Sequence, residues 1–186
     1  DDKGYSDLYI YDLASRETIR ITNTKENESS AVWRPDGKKI CFISSKSGSA
    51  QLWEMDTNGT NRKQISFLEE GISGFLFSAD ATQLVFSREV KLGKSINELH
   101  PDLPKAKARL ETDLMYRHWD SWHDYKFSHL FVAKYNEEGI YDAQDIMEGE
   151  VFNSPMKPFG GTEQLAWSPD GKILAYVSKK KSGKEY

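Results

Sequence analysis

The sequence predicts an all-β protein: a β-propeller fragment of about three four-stranded blades, entered half-way through one blade and left half-way through another. The first observation is a recurring segment. AVWRPDGKKICFIS (31–44) returns as QLAWSPDGKILAYVS (164–178), and GFLFSADATQLVFS (74–87) is a worn copy between them. The second is spacing. Trp33 and Phe77 hold equivalent places 44 residues apart, and Leu8 and Leu52 repeat that interval. A period near 44 suits the four strands of a propeller blade. The third is composition: 38% hydrophobic and 12% aromatic residues suit a packed, strand-rich chain and exclude a disordered one.

Each period divides into strands A to D. The chain opens on C (7–12) and D (18–22). The cleanest unit then gives A at 30–34, B at 39–44, C at 51–56 and D at 63–67. Pro35-Asp36-Gly37 makes the A–B turn, because proline presets φ and Asp-Gly tolerates the unusual angles that follow. Asn58-Gly59 does the same between C and D. Strand B, Ile40-Cys41-Phe42-Ile43, is apolar on both faces, as a sheet packed between two other sheets requires. Strand D carries Arg62, Lys63 and Gln64 and reads as an outer edge. The third unit repeats A and B within 74–87 and C in HLFVAKYNEEG. The last A and B fall at 163–167 and 173–178.

The two ends are therefore complementary half-blades, C–D first and A–B last. Each alone exposes an edge and an apolar face. Three blades are fewer than the four to eight of known propellers. Two readings stay open: an open slice of a larger propeller, or a homodimer in which two chains exchange halves to make six blades.

Composition excludes several classes. The net charge of −4 argues against a general nucleic-acid binder. The run Lys179 to Lys181 reads as a solvated turn rather than an anion site. Cys41 is the single cysteine, so no internal disulfide forms, and its apolar strand marks a buried structural thiol. No apolar run reaches the ~18 residues of a membrane span. The start at Asp1-Asp2-Lys3 reads as that of a processed or trimmed segment. No catalytic residue is assigned. Gly71-Ile72-Ser73-Gly74-Phe75 lacks the spacing of a nucleophile elbow, and Ser168 sits in a repeat turn. No phosphate-cradling glycine loop occurs and no cofactor is expected. Of the sequons Asn27-Glu28-Ser29 and Asn58-Gly59-Thr60, the second is explained by its turn.

Function is expected where the period breaks. About 34 residues are inserted between B and C of the third unit, at 94–127, and about 12 more enter within 137–158. Pro101 and Pro104 mark an extended stretch in the first insertion. Leu110, Leu114 and Met115 suggest a short helix over 105–122. His118 and His123 are five apart, the wrong spacing for one helix face, so no metal site is assigned. Asp113, Asp120 and Asp124 oppose nucleic-acid binding through the aromatics. The plain reading has Trp119 and Trp122 pinning the insertion to the blade edge, with Arg117 paired to a carboxylate. The functional reading makes it a peptide-contacting element, with Glu111, Tyr116, Arg117, Trp119, Asp120 and Trp122 as candidate contacts.

The units WRPDGKKICFISSKSGSAQLWEMDTNGTNRKQIS and WSPDGKILAYVSKKKSG resemble the propeller repeats of TolB-type proteins and of the prolyl oligopeptidase family of serine peptidases. The stretch DLMYRHWDSWHDYKFSHLFVA (113–133) is similar to the corresponding insertion of acylaminoacyl-peptidase and dipeptidyl-peptidase 5-like members of that family. The resemblance implies a parent enzyme that cleaves short peptides with a Ser-Asp-His triad in a C-terminal α/β-hydrolase domain, which is missing here. It implies that the propeller shapes the substrate cavity and excludes folded proteins, and it favours an exported, periplasmic setting. Some relatives grip the peptide amino terminus with propeller carboxylates. Glu98, Glu111 and Asp120 are placed for that by location, whereas Glu69-Glu70 lies at a repeat junction. A TolB-like module that binds another protein is the alternative.

Overall fold

The computed structural model describes residues 4–111, 117–118 and 120–180. The first half-blade is the antiparallel hairpin β1 (Tyr9–Tyr11) and β2 (Thr18–Arg20). The first complete blade is β3 (Glu28–Trp33), β4 (Lys39–Ser44), β5 (Gln51–Asp56) and β6 (Lys63–Gln64), paired in that order. The second is β7 (Gly74–Phe77), β8 (Gln83–Lys91), β11 (Lys126–Asn136) and β12 (Gly139–Asp145), again in chain order across the sheet. The last half-blade is β13 (Leu165–Trp167) with β14 (Leu174–Tyr176). The architecture is thus nearly all-β, with the C–D start and A–B end that the repeat predicts.

The double-sided apolar strands explain the stacking. Ile40 and Phe42 of β4 face back and pack with Ile21 and Met55 against Leu8 and Ile10 of the first half-blade. Cys41 and Ile43, one residue out of phase, face forward to Phe75, Phe77, Leu84 and Phe86 of the next blade. Val85 and Leu130 then face Leu165, Leu174 and Tyr176 of the last half-blade. Period-two alternation sends successive residues to opposite faces, so one strand serves two interfaces. Each fully buried Phe or Leu there contributes about 1.5–3 kcal/mol by leaving water.

Backbone contacts recur with the same period. Ser6 O accepts from Glu28 N at 3.0 Å, Ala50 O from Ile72 N at 2.8 Å, and Ser128 O from Ser154 N at 2.8 Å. The C–D turns interlock with the preceding blade. A Cβ on Gly59 (φ +84°) would lie 2.8 Å from Ile21 O, and one on Gly139 (φ +137°) 2.7 Å from Ile65 O. Glycine is required there twice over, by the left-handed backbone and by the neighbour's carbonyl.

A polar lock joins the two complete blades. Arg34 is buried and holds Asp36 with two hydrogen bonds of 2.9 and 2.7 Å. It also donates to Tyr135 Oη at 2.9 Å, and that hydroxyl donates to buried Glu54 at 2.5 Å. The Arg34 partnership holds the Asp36 carboxyl down at about 2. Burial pushes the Tyr135 phenol upward, and the hydrogen bond to Glu54 adds to that. In the other copies serine stands in for Arg34: Ser78 and Ser168 donate to Asp80 and Asp170 at 2.7 and 2.6 Å. Cys41 lies buried in this interface, where desolvation pushes its thiol up to about 12 and makes it a poor nucleophile.

Candidate functional site

The insertion grows from a lengthened B–C hairpin. The β4–β5 ladder ends at Ser44 opposite Gln51. In the second blade the equivalent pair is Arg88 and His129, and three more pairs follow: Glu89 with Ser128, Val90 with Phe127, and Lys91 with Lys126. This arm carries residues 92–125 beyond the sheet. Among the described residues its helical part is α1 (Ile96–Leu99), with the Ser95–Glu98 capping box at its start. Glu98 also meets Lys91 at 2.6 Å, which lowers its carboxyl to about 2.

The helix expected over 105–122 is not what forms where the residues are described. Residues 105–111 are non-helical, and β9 (Arg117–His118) pairs with β10 (Ser121–Trp122) as a short hairpin. The reason lies in tertiary hydrogen bonds. Tyr125 Oη donates to Leu110 O at 3.0 Å and accepts from Leu110 N at 3.3 Å, while Arg109 donates to His123 O at 3.2 Å. Those contacts tie the irregular segment to the returning chain outside any helix.

Of the sequence-predicted contacts, Tyr116 and Trp119 lie outside the described residues, as do Asp113, Leu114 and Met115. Glu111 and Trp122 come together with Lys107 and Arg109 around a concavity of about 510 Å³. Arg109 and Arg117 lie 5.5 and 5.4 Å from the Trp122 ring centre, at cation–π distance. The guanidinium of Arg117 thus lies against an aromatic ring. One Glu111 carboxylate oxygen is buried without a hydrogen-bond partner among the described residues. Asp120 is exposed in the turn of the same hairpin. His123 accepts from Tyr125 N at 3.2 Å and packs on Phe127, so it props the base of the arm.

A second concavity, of about 310 Å³, lies at the foot of the arm. Ser30, Ser73 and Thr162, at or beside the starts of three A strands, line it with Ser87 and Ser128 of the arm base. Its remaining wall is the connection after β12, through Pro155, Lys157, Gly160 and Gly161. Most of the second interval of extra length, 137–158, is accounted for here: β12 occupies 139–145, and the irregular chain runs on from 146 to the turn before β13. Lys157 bonds Glu89 at 2.6 Å, tying this connection to the arm. On the other side Lys126 bonds Glu70 at 2.8 Å, and Lys126 lowers the Glu70 carboxyl. B–C and D–A connections leave the same end of each blade, so both concavities open on one face. Hydroxyls, glycine backbone and a half-exposed ion pair line the foot, with aromatic and guanidinium groups above. In sequence, only the prolines at 155 and 158 mark a departure from the strand pattern near this foot.

Comparison with known proteins agrees with this architecture. The chain is 45% identical over 184 residues to dipeptidyl-peptidase 5 of Porphyromonas gingivalis, covering 99% of this chain and 27% of that protein. It is 37% identical over 186 residues to dipeptidyl-peptidase 5 of Porphyromonas endodontalis, covering all of this chain and again 27% of the relative. The chain therefore spans about a quarter of the length of these relatives. Among solved structures, TolB of Agrobacterium tumefaciens superimposes with a TM-score of 0.55 at 19% identity, over 92% of this chain and 50% of that one. Acylaminoacyl peptidase of Pyrococcus horikoshii gives 0.55 at 16%, over 78% and 21%. These two likenesses show the fold. The PD40 family, the TolB beta propeller domain, matches residues 1–146, and the chain belongs to that family.

Proposed function

We propose that this chain is the non-catalytic propeller portion of a serine exopeptidase of the dipeptidyl or acylaminoacyl type. In this reading its arm-bearing face shapes and gates the peptide-substrate cavity. The observation that carries the proposal is the arm itself: three extra ladder pairs lift a guanidinium- and tryptophan-lined concavity above a hydroxyl-lined foot on one face. The two dipeptidyl-peptidase 5 relatives support it, since both are alignable through the whole arm region. Short peptides are the ligands, and an α/β-hydrolase domain carrying the triad is the partner of this face. Trp122 with its two arginines offers a flat, cationic wall for peptide carbonyls. The foot offers hydrogen-bonding groups for peptide backbone.

The alternative is a TolB-like module whose rim binds another protein, a reading compatible with the match of residues 1–146 to the TolB beta propeller family. A G-x-S-x-G motif within an α/β pattern downstream in the same gene product favours the peptidase.

The test is a chimera in which this chain replaces the matched segment of the Porphyromonas gingivalis protein. The isolated chain is expected to leave dipeptidyl chromogenic substrates untouched, and the chimera to hydrolyse them. Trimming residues 92–125 to a two-residue Asn-Gly turn in the chimera should raise KM about tenfold, or admit longer peptides. A folded, active chimera whose KM and peptide-length limit ignore the trimming would refute the gating role.

A further inference from the structure

The arm carries cations that no carboxylate of the described residues neutralises. At its base Lys91, Lys126 and Lys157 each hold a carboxylate, that of Glu98, Glu70 and Glu89, at 2.6, 2.8 and 2.6 Å. Beyond that base, Lys107, Arg109 and Arg117 hold none among the described residues. Lys107 and Arg109 line the concavity of about 510 Å³ together with Glu111 and Trp122. Arg117 reaches the same Trp122 ring, 5.4 Å from its centre, against 5.5 Å for Arg109. Arg109 uses one donor on His123 O at 3.2 Å. The rest of its fork stays available, since a guanidinium has several N–H groups. Contact with an aromatic ring steadies a guanidinium while leaving N–H edges for a planar acceptor.

One opposite charge in the lining narrows the choice of ligand. Glu111 presents a carboxylate oxygen that is buried and has no hydrogen-bond partner among the described residues. It repels a phosphate or any other compact polyanion held by the neighbouring arginines, and it calls for a donor. A ligand that satisfies both groups has a single carboxylate with an N–H close to it. The last residue of a peptide has that pattern, because its carboxylate and its amide N–H sit on one Cα. A glutamate side chain carries its charge farther from its own N–H. The volume of about 510 Å³ exceeds what a lone anion fills and lies in the range of residue-sized ligands. Trp122 is 44% exposed and offers a flat wall to the terminal side chain.

We infer that the arm concavity is a subsite for the C-terminal carboxylate of a bound peptide. Arg109 and Arg117 take the carboxylate, Lys107 adds positive potential, Glu111 accepts the last peptide N–H, and Trp122 flanks the terminal side chain. The inference rests on the reading of this face as the wall of a peptide-substrate cavity, and it adds which end of the peptide is held there. In an exopeptidase that attacks the amino end, a fixed grip on the other end favours short peptides, because the span from grip to triad sets the length accommodated.

Titration of the 186-residue chain with an alanine tetrapeptide, followed by NMR, reads the subsite without catalysis. The peptide is used as free acid and as C-terminal amide. At low ionic strength the acid is expected to bind about tenfold tighter than the amide, with the Trp122 indole signal among those that shift. Arg109→Gln and Arg117→Gln should each cut that preference to about twofold. If Arg117→Gln disturbs the signals of the blades, Arg117→Lys keeps the charge, loses the fork and should leave an intermediate preference. A peptide amide with one internal glutamate should bind no better than the plain amide. Equal binding of acid and amide, a preference that survives both glutamine substitutions, or a glutamate-bearing amide as tight as the acid would each overturn the inference. The peptidase reading is judged separately, by the chimera acting on the chromogenic substrate. Hydrolysis there without an acid preference here removes the subsite and keeps that reading. An acid preference here with an inactive, folded chimera keeps the carboxylate site and removes that reading.

Discussion

Between the two complete blades, Cys41, Leu52, Leu84 and Phe86 are fully buried, and Arg34, Glu54 and Tyr135 satisfy one another across the gap. On the arm, Trp122 and Leu110 stay exposed, and the polar contacts are surface pairs such as Lys91–Glu98 and Lys157–Glu89. The blade interface is a packed interior, where loss of one methyl or one partner is felt throughout the fold. The arm is held by a few hydrogen bonds and half-exposed ion pairs, each contributing roughly 0–1 kcal/mol. The first region therefore sets stability, and the second is free to vary and to bind.

Substitutions should separate the two regions by size of effect. Phe86→Ala opens a cavity in the blade interface and should cost about 3–5 kcal/mol in urea unfolding of the chain. A loss under about 1 kcal/mol would mean that the interface is not a single core. Tyr135→Phe leaves Arg34 and Glu54 without their bridge and should cost about 1–3 kcal/mol, since both are buried charges. Ala81→Gly should act in the opposite direction. Ala81 has φ +57° at the turn where the other copies have Gly37 and Gly171, so glycine there should stabilise by about 1 kcal/mol. Trp122→Ala, on the arm, should change stability by no more than about 0.5 kcal/mol.

Acid should act on the interface through Asp36. Its folded carboxyl titrates near 2, below the ordinary value of 3.8, so its contribution is complete above pH 4 and is lost as pH falls through 2. Asp36→Asn should flatten that part of the pH–stability curve and leave the neutral region with a smaller, pH-independent loss.

The blades were legible because a repeat forces each position to do one job several times. Ile40 to Ile43 predicted a strand buried on both faces, and β4 serves two interfaces in that way. Strand boundaries of β4 and β5 followed from the Pro-Asp-Gly and Asn-Gly turns. The arm was visible only as a break in period. Its local form depends on Tyr125 reaching back to Leu110, a tertiary contact that no helical or strand periodicity encodes. The hydroxyl-lined foot escaped notice for a similar reason: Ser30, Ser73 and Thr162 look like ordinary strand-entry residues until three A strands converge. Arg34 also gave no signal in sequence, because the repeat shows it as a substitute for a turn serine and not as a partner of Tyr135, 101 residues away.

The sharpest measurement pairs one residue from each region in the chimera with the Porphyromonas gingivalis protein. Melting temperature and steady-state constants for a dipeptidyl substrate are recorded for Trp122→Ala and Tyr135→Phe. Trp122→Ala should raise KM about tenfold with kcat and melting temperature unchanged. Tyr135→Phe should lower the melting temperature by several degrees with KM unchanged. A Trp122→Ala chimera with the parental KM, or a Tyr135→Phe chimera that loses substrate affinity at full stability, would contradict the assignment of binding to the arm and stability to the blades.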